Sequence, residues 1–160
     1  MLRGWDTTGA PKEGMLYYNT TSKSFLFWNG SAWLQTSSES IRFNGNGVFE
    51  VDTRVDGAWI APAACTVVRV MADVEERGKN DGSVTSNIWD VNKNGVTMYT
   101  TQGNRPTIAT SAGGGEAYVV APLPDIVAIA QNDRITVDTD AVANGSIKPT
   151  NFTIIVQVVY

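Results

Sequence analysis

Apolar and polar positions along this chain alternate or gather in short runs, and no segment keeps an apolar period near 3.6 residues between capping signals. Gly and Pro punctuate every interval, so the pattern predicts an all-β chain. The clearest alternation places Thr66, Val68, Val70, Ala72 and Val74 on one face and Arg69, Asp73 and Glu75 on the other, as in a strand with one wet side. Strands are expected over 47–53, 65–75, 84–93, 96–101, 133–140 and 151–160, all rich in Val, Ile, Thr and aromatics. Asn94-Gly95 separates two of these runs and predicts a type I′ hairpin, whose two central positions both need positive φ. The last run is apolar on both faces. Phe152, Ile154, Val156 and Val158 suit a core, which leaves Ile155 and Val159 in need of a second cover. Short strands with a turn signal about every ten residues predict a two-sheet sandwich, with jelly roll as the natural topology.

The N-terminal side follows a different pattern. Six aromatics, Tyr17, Tyr18, Phe25, Phe27, Trp28 and Trp33, are broken by Asn19-Thr20-Thr21 and Asn29-Gly30 and predict short strands joined by tight turns. A unit of that size cannot bury its own rings, so all six are candidates for docking on another protein. The same rings could stack on sugars, which keeps glycan binding as the rival reading, with Trp5, Trp59 and Trp89 as further aromatic candidates. The polar stretch Thr36-Ser37-Ser38-Glu39-Ser40 reads as a boundary. The expected organisation is an anchoring module over 1–36, a linker over 37–40 and a β-sandwich over 41–160.

Composition narrows the chemistry. No histidine is present, which removes the commonest general base and the commonest metal ligand. The net charge of −4 is scattered, with no Lys/Arg run to hold a phosphate backbone, so nucleic-acid binding is not expected. No apolar run approaches membrane-spanning length, and no basic start followed by an apolar stretch marks a leader. The single Cys65 precedes an apolar run and reads as a small core residue. Asp133, Asp138 and Asp140 could supply calcium oxygens, but alternating Asp and Thr on a wet strand face needs no metal. Of Asp73, Glu75 and Glu76 only the first and second share a face, and nothing gives either an apolar pocket, so no catalytic pair is assigned. Gly113-Gly114-Gly115 lacks the Lys-Ser or Lys-Thr of a phosphate loop and reads as a turned loop. No cofactor is expected.

Two stretches resemble modules of tailed-bacteriophage virion proteins. Gly14-Met15-Leu16-Tyr17-Tyr18-Asn19-Thr20-Thr21, followed by Trp28-Asn29-Gly30-Ser31-Ala32-Trp33, resembles a short module that recurs in phage structural proteins. The ordered series Gly57-Ala58-Trp59-Ile60-Ala61-Pro62, Asp90-Val91-Asn92-Lys93-Asn94-Gly95, Arg105-Pro106-Thr107-Ile108 and Asp133-Arg134-Ile135-Thr136-Val137-Asp138 resembles a phage jelly-roll module akin to trimeric tumour-necrosis-factor-like and C1q-like folds. The resemblance implies a non-enzymatic virion protein that forms a homotrimer. Closed threefold symmetry would bury apolar faces without leaving edges to polymerise, with Val67, Met71, Ile155 and Val159 as the expected interface. Tail fibres usually add a long shaft and an attachment domain, so the expectation is a capsid decoration (cement) or head-fibre protein. It would dock through its aromatic module, with the major capsid protein as the expected partner. The alternative is a short tail fibre that contacts host surface glycans.

Overall fold

A computed structural model describes residues 11–20, 24–28, 30–31, 33–35 and 38–160. Its strands, in chain order, are β1 (Leu16–Asn19), β2 (Ser24–Trp28), β3 (Trp33–Gln35), β4 (Ser38–Val48), β5 (Asp52–Ile60), β6 (Cys65–Glu76), β7 (Ser86–Lys93), β8 (Val96–Thr97), β9 (Thr107–Ala109), β10 (Ala117–Ala121), β11 (Ala128–Ile129), β12 (Arg134–Ala141) and β13 (Thr150–Val159). Gln102–Asn104 form a single 3-10 turn. The chain divides into two compact units, one of Met1–Ser38 with Val159–Tyr160 and one of Glu39–Val158.

The larger unit contains two five-stranded sheets. One runs β10-β6-β13-β4 with β11 added to β6; the other runs β5-β12-β7-β8 with β9 added to β7. The chain crosses between the sheets repeatedly, and the result is the jelly-roll-type β-sandwich that the sequence pattern predicts. Strand alternation builds the core. Val70, Ala72 and Val74 of β6, Trp89 and Val91 of β7, Ile135 and Val137 of β12, and Phe152, Ile154, Val156 and Val158 of β13 are all buried. Phe49, Trp89 and Phe152 form a ring cluster at centroid separations of 4.8 to 5.9 Å. Asn94 and Gly95 have φ of +54° and +82°, the type I′ geometry, although the returning strand β8 has only two residues.

Three local expectations change. The face of β6 slips by one residue: Thr66 and Val68 are exposed while Cys65, Val67 and Val70 are buried. At this point β6 exchanges partners, pairing with β11 at Cys65 and Thr66 and with β10 from Val70 onward, and the two adjacent outward residues Val68 and Arg69 absorb the shift. The run 47–53 is not one strand: Gly47 and Val48 end β4, Asp52 and Thr53 open β5, and between them Phe49 turns inward as a plug. Ser38, Glu39 and Ser40, read as linker, open the strand β4. Their polarity fits a strand at the edge of its sheet.

Candidate interaction surfaces

The smaller unit contains a three-stranded antiparallel sheet in the order β1-β2-β3. Its register pairs Leu16 with Phe27, Tyr18 with Phe25, and Trp28 with Trp33. Because successive residues alternate faces, the six predicted aromatics divide equally. Tyr18, Phe25 and Phe27 share one face with Leu16; Tyr17, Trp28 and Trp33 share the other with Leu26. Ring contacts follow this division. Tyr18 and Phe25 lie 5.0 Å apart, Trp28 and Trp33 meet edge-on at 5.5 Å, and Tyr17 lies 5.6 Å from Trp33. The sheet thus brings all six together, but as two clusters on opposite faces.

Neither face is closed by the rings it carries. Leu16 is 59% exposed, Phe25 46%, Tyr18 44% and Tyr17 40%, while Phe27, Trp28 and Trp33 are half-buried. Three strands form too thin a layer to cover apolar groups on both sides, and water contact with this much aromatic surface is costly. The arrangement can bind apolar or aromatic protein surface on two sides at once.

The four residues expected to form a trimer interface on the sandwich do not share one environment. Val67 is 1% exposed and points into the core, so it is removed from the candidate interface. The slip in β6 explains this, since strict alternation through Val68 puts Val67 outward. Met71, Ile155 and Val159 are half-buried at non-core positions of β6 and β13. Met71 and Ile155, with Arg42 and Thr153, line a shallow groove of about 260 Å³ beside Tyr118, a β10 residue left 79% exposed. Tyr118 and its neighbour Val120, 45% exposed, were not singled out in the sequence. The continuous apolar run Ala117-Tyr118-Val119-Val120-Ala121 was the signal that could have found them.

The remaining candidates resolve into structural roles. Trp89 is fully buried in the core and Trp59 is half-buried with its indole N–H donated to Glu39, so neither is an open sugar platform; Trp5 lies outside the described residues. Burial pushes the Cys65 thiol above its usual range, with Glu39 and Asp133 adding to the effect, which leaves it protonated and unreactive. Asp133, Asp138 and Asp140 have separate protein partners: Ala130 N–H and Asn94 for the first, Arg54 N–H and Asn92 for the second, and Arg105 for the third. Glu75 accepts from Asn151, and Glu76 accepts the N–H groups of Gly78 and Gly115. The glycine run is a tight turn clamped by Glu76, for Gly114 and Gly115 have φ of +71° and +94°. Burial raises the Asp90 carboxyl, but Thr97 donates to it at 2.8 Å on the flank of β7, with no nucleophile or second acid in its hydrogen bonds.

No curated protein matches the chain. Its fold is similar to a chain of a solved structure titled "Capsid of Ralstonia phage GP4", with 15% identity, 78% of this chain and 84% of that chain covered, and a TM-score of 0.45. Residues 2–50, which include the aromatic sheet and β4, match the family model described as "Phage tail like trimerisation region". Over that span the chain is similar to a phage-tail-like trimerisation region.

Proposed function

We propose that this protein is a homotrimeric, non-enzymatic structural protein of a phage particle, held together by its aromatic sheet. The observation that carries the reading is a sheet apolar on both faces, lying within the segment that resembles a trimerisation region. The two faces suit two tasks. Leu16, Tyr18, Phe25 and Phe27 form the more open face and pack around the threefold axis, where closed symmetry covers all three copies. Tyr17, Trp28 and Trp33 form the other face and dock on another virion protein, with the tryptophans as anchors. In the sandwich, Met71, Ile155 and Val159 add apolar contact to the same trimer.

The capsid surface is the position we assign, as a decoration or head-fibre protein bound to the major capsid protein. A trimer that binds the assembled lattice but not its dissociated subunits raises lattice stability by mass action. The wording of the matching family favours a second reading, a short tail fibre that contacts host glycans. Particles with and without the protein separate the two. Decoration predicts lower capsid resistance to heat without it; loss of host adsorption at unchanged capsid stability rejects decoration in favour of the tail.

A further inference from the structure

The outer face of the β5-β12-β7 sheet holds a groove of about 450 Å³ lined mainly by polar and charged residues, within the size range of small-molecule sites. Two guanidinium groups line it, Arg54 and Arg134, and neither makes a side-chain hydrogen bond or an ion pair among the described residues. By contrast Lys79, Lys93 and Arg105 all have carboxylate partners. Beneath the arginines lie Asn92 and Thr136, cross-strand partners that are 6% and 7% exposed. Asp138 holds the Asn92 amide in place there.

The backbone is arranged to hold these groups. Arg54 has φ of +64°, a conformation that non-glycine residues rarely adopt, within a stretch where the β5–β12 register shifts. Asp138 holds it there: one carboxylate oxygen accepts the Arg54 N–H at 2.7 Å and the other accepts the Asn92 amide at 2.8 Å. Asn94 fixes the other arginine, accepting the Arg134 N–H at 2.9 Å and donating its own N–H to the Arg134 carbonyl at 2.8 Å. Asp138 is the carboxylate lining the groove among the described residues, and both its oxygens are engaged. Two cations thus face one occupied anion. Strain retained at a residue that aims a charged group into a cleft is the kind of outlier that points to a site.

From this geometry we propose that the groove binds an acidic saccharide, its carboxylate taken by Arg54 and Arg134 and its hydroxyls by Asn92 and Thr136. Guanidinium forks match carboxylates geometrically, and the amide and hydroxyl groups supply both donors and acceptors. No aromatic side chain lines the groove among the described residues, so it offers a nucleobase no ring to stack on. A hydroxyl-rich anion suits what remains. The assignment is independent of the aromatic sheet, and holds whether the protein sits on head or tail.

The test is titration calorimetry of the full chain with tetragalacturonate, its fully methyl-esterified form and inorganic phosphate. The acid is expected to bind, more weakly as salt rises, and the ester to show no measurable binding. Arg54→Asn, chosen because Asn tolerates positive φ, and Arg134→Gln should each weaken binding about tenfold or more with the melting temperature unchanged. Should one variant unfold, the other and the ester comparison still decide. Absence of binding at millimolar acid, equal binding of the ester, or wild-type affinity in a folded variant overturns the proposal. Phosphate binding as tightly as the tetramer also overturns it, since the groove would then hold an adventitious ion only.

Discussion

Replacing Phe25 by Ala tests the threefold packing of the aromatic sheet quantitatively. Phe25 is 46% exposed and stands opposite Tyr18, 44% exposed, with ring centroids 5.0 Å apart. A buried aromatic removes about 200 Å² from water, so covering the open part of Phe25 removes about 90 Å² per chain. At roughly 25 cal/mol per Å² this contributes about 2 kcal/mol per chain. Closed symmetry counts the loss three times, so the trimer dissociation constant should rise by about 6 kcal/mol, or roughly 10⁴-fold. Because three monomers combine, the concentration at which the trimer half-dissociates scales as the square root of that constant, a shift of about a hundredfold. Sedimentation velocity across a dilution series reads this shift directly, and the melting of the sandwich serves as a folding control. A half-dissociation concentration within about threefold of wild type, in a folded variant, refutes the assignment of this face to the axis.

Trp33→Ala removes the ring that contacts both Tyr17 and Trp28, and should weaken binding to particles by about 2 kcal/mol or more while leaving sedimentation of the free protein unchanged. Gly45→Ala places a methyl 2.7 Å from both Cδ1 and Cζ of Phe152, whose ring is fixed between Phe49 and Trp89. This overpacking should cost about 1–3 kcal/mol, seen as a lower melting temperature. Hydrogen bonds from Ser146 hold Asp81 below the usual carboxylate range, and the N–H groups of Thr101 and Ala130 do the same for Asp125 and Asp133. Lowered folded-state values contribute stability above the ordinary carboxylate pKa and lose it as pH falls through the folded ones, so thermal stability should decline below about pH 4. Burial raises Asp90 and acts in the opposite sense, but it is one group against three. Asp81→Asn should flatten the decline, measured by melting temperature against pH.

Much of the architecture was legible because it rests on short-range rules. The Asn94-Gly95 hairpin follows from the φ preferences of two adjacent residues, and the inward set of β13 follows from alternation alone. Where tertiary pairing overrides alternation, the reading slips. The partner exchange along β6 turns Val67 inward and Val68 outward, and no local signal distinguishes that strand from an unbroken one. Phe49 shows the same limit: within Val48-Phe49-Glu50-Val51 it reads as strand, yet it serves as a core plug in a connection. The aromatic cluster was visible as composition, but its division into two faces depends on the Tyr18–Phe25 and Trp28–Trp33 register, which the turn residues only partly specify. The groove at Arg54 and Arg134 was invisible, because its residues are far apart in sequence and one owes its direction to a positive φ held by Asp138.

The central claim is that this chain associates in threes, and the native mass of the full chain in solution tests it most directly. Light scattering coupled to size-exclusion chromatography at micromolar concentration should report three times the 17.2 kDa chain mass. A species of 17.2 kDa that persists across that range contradicts the account.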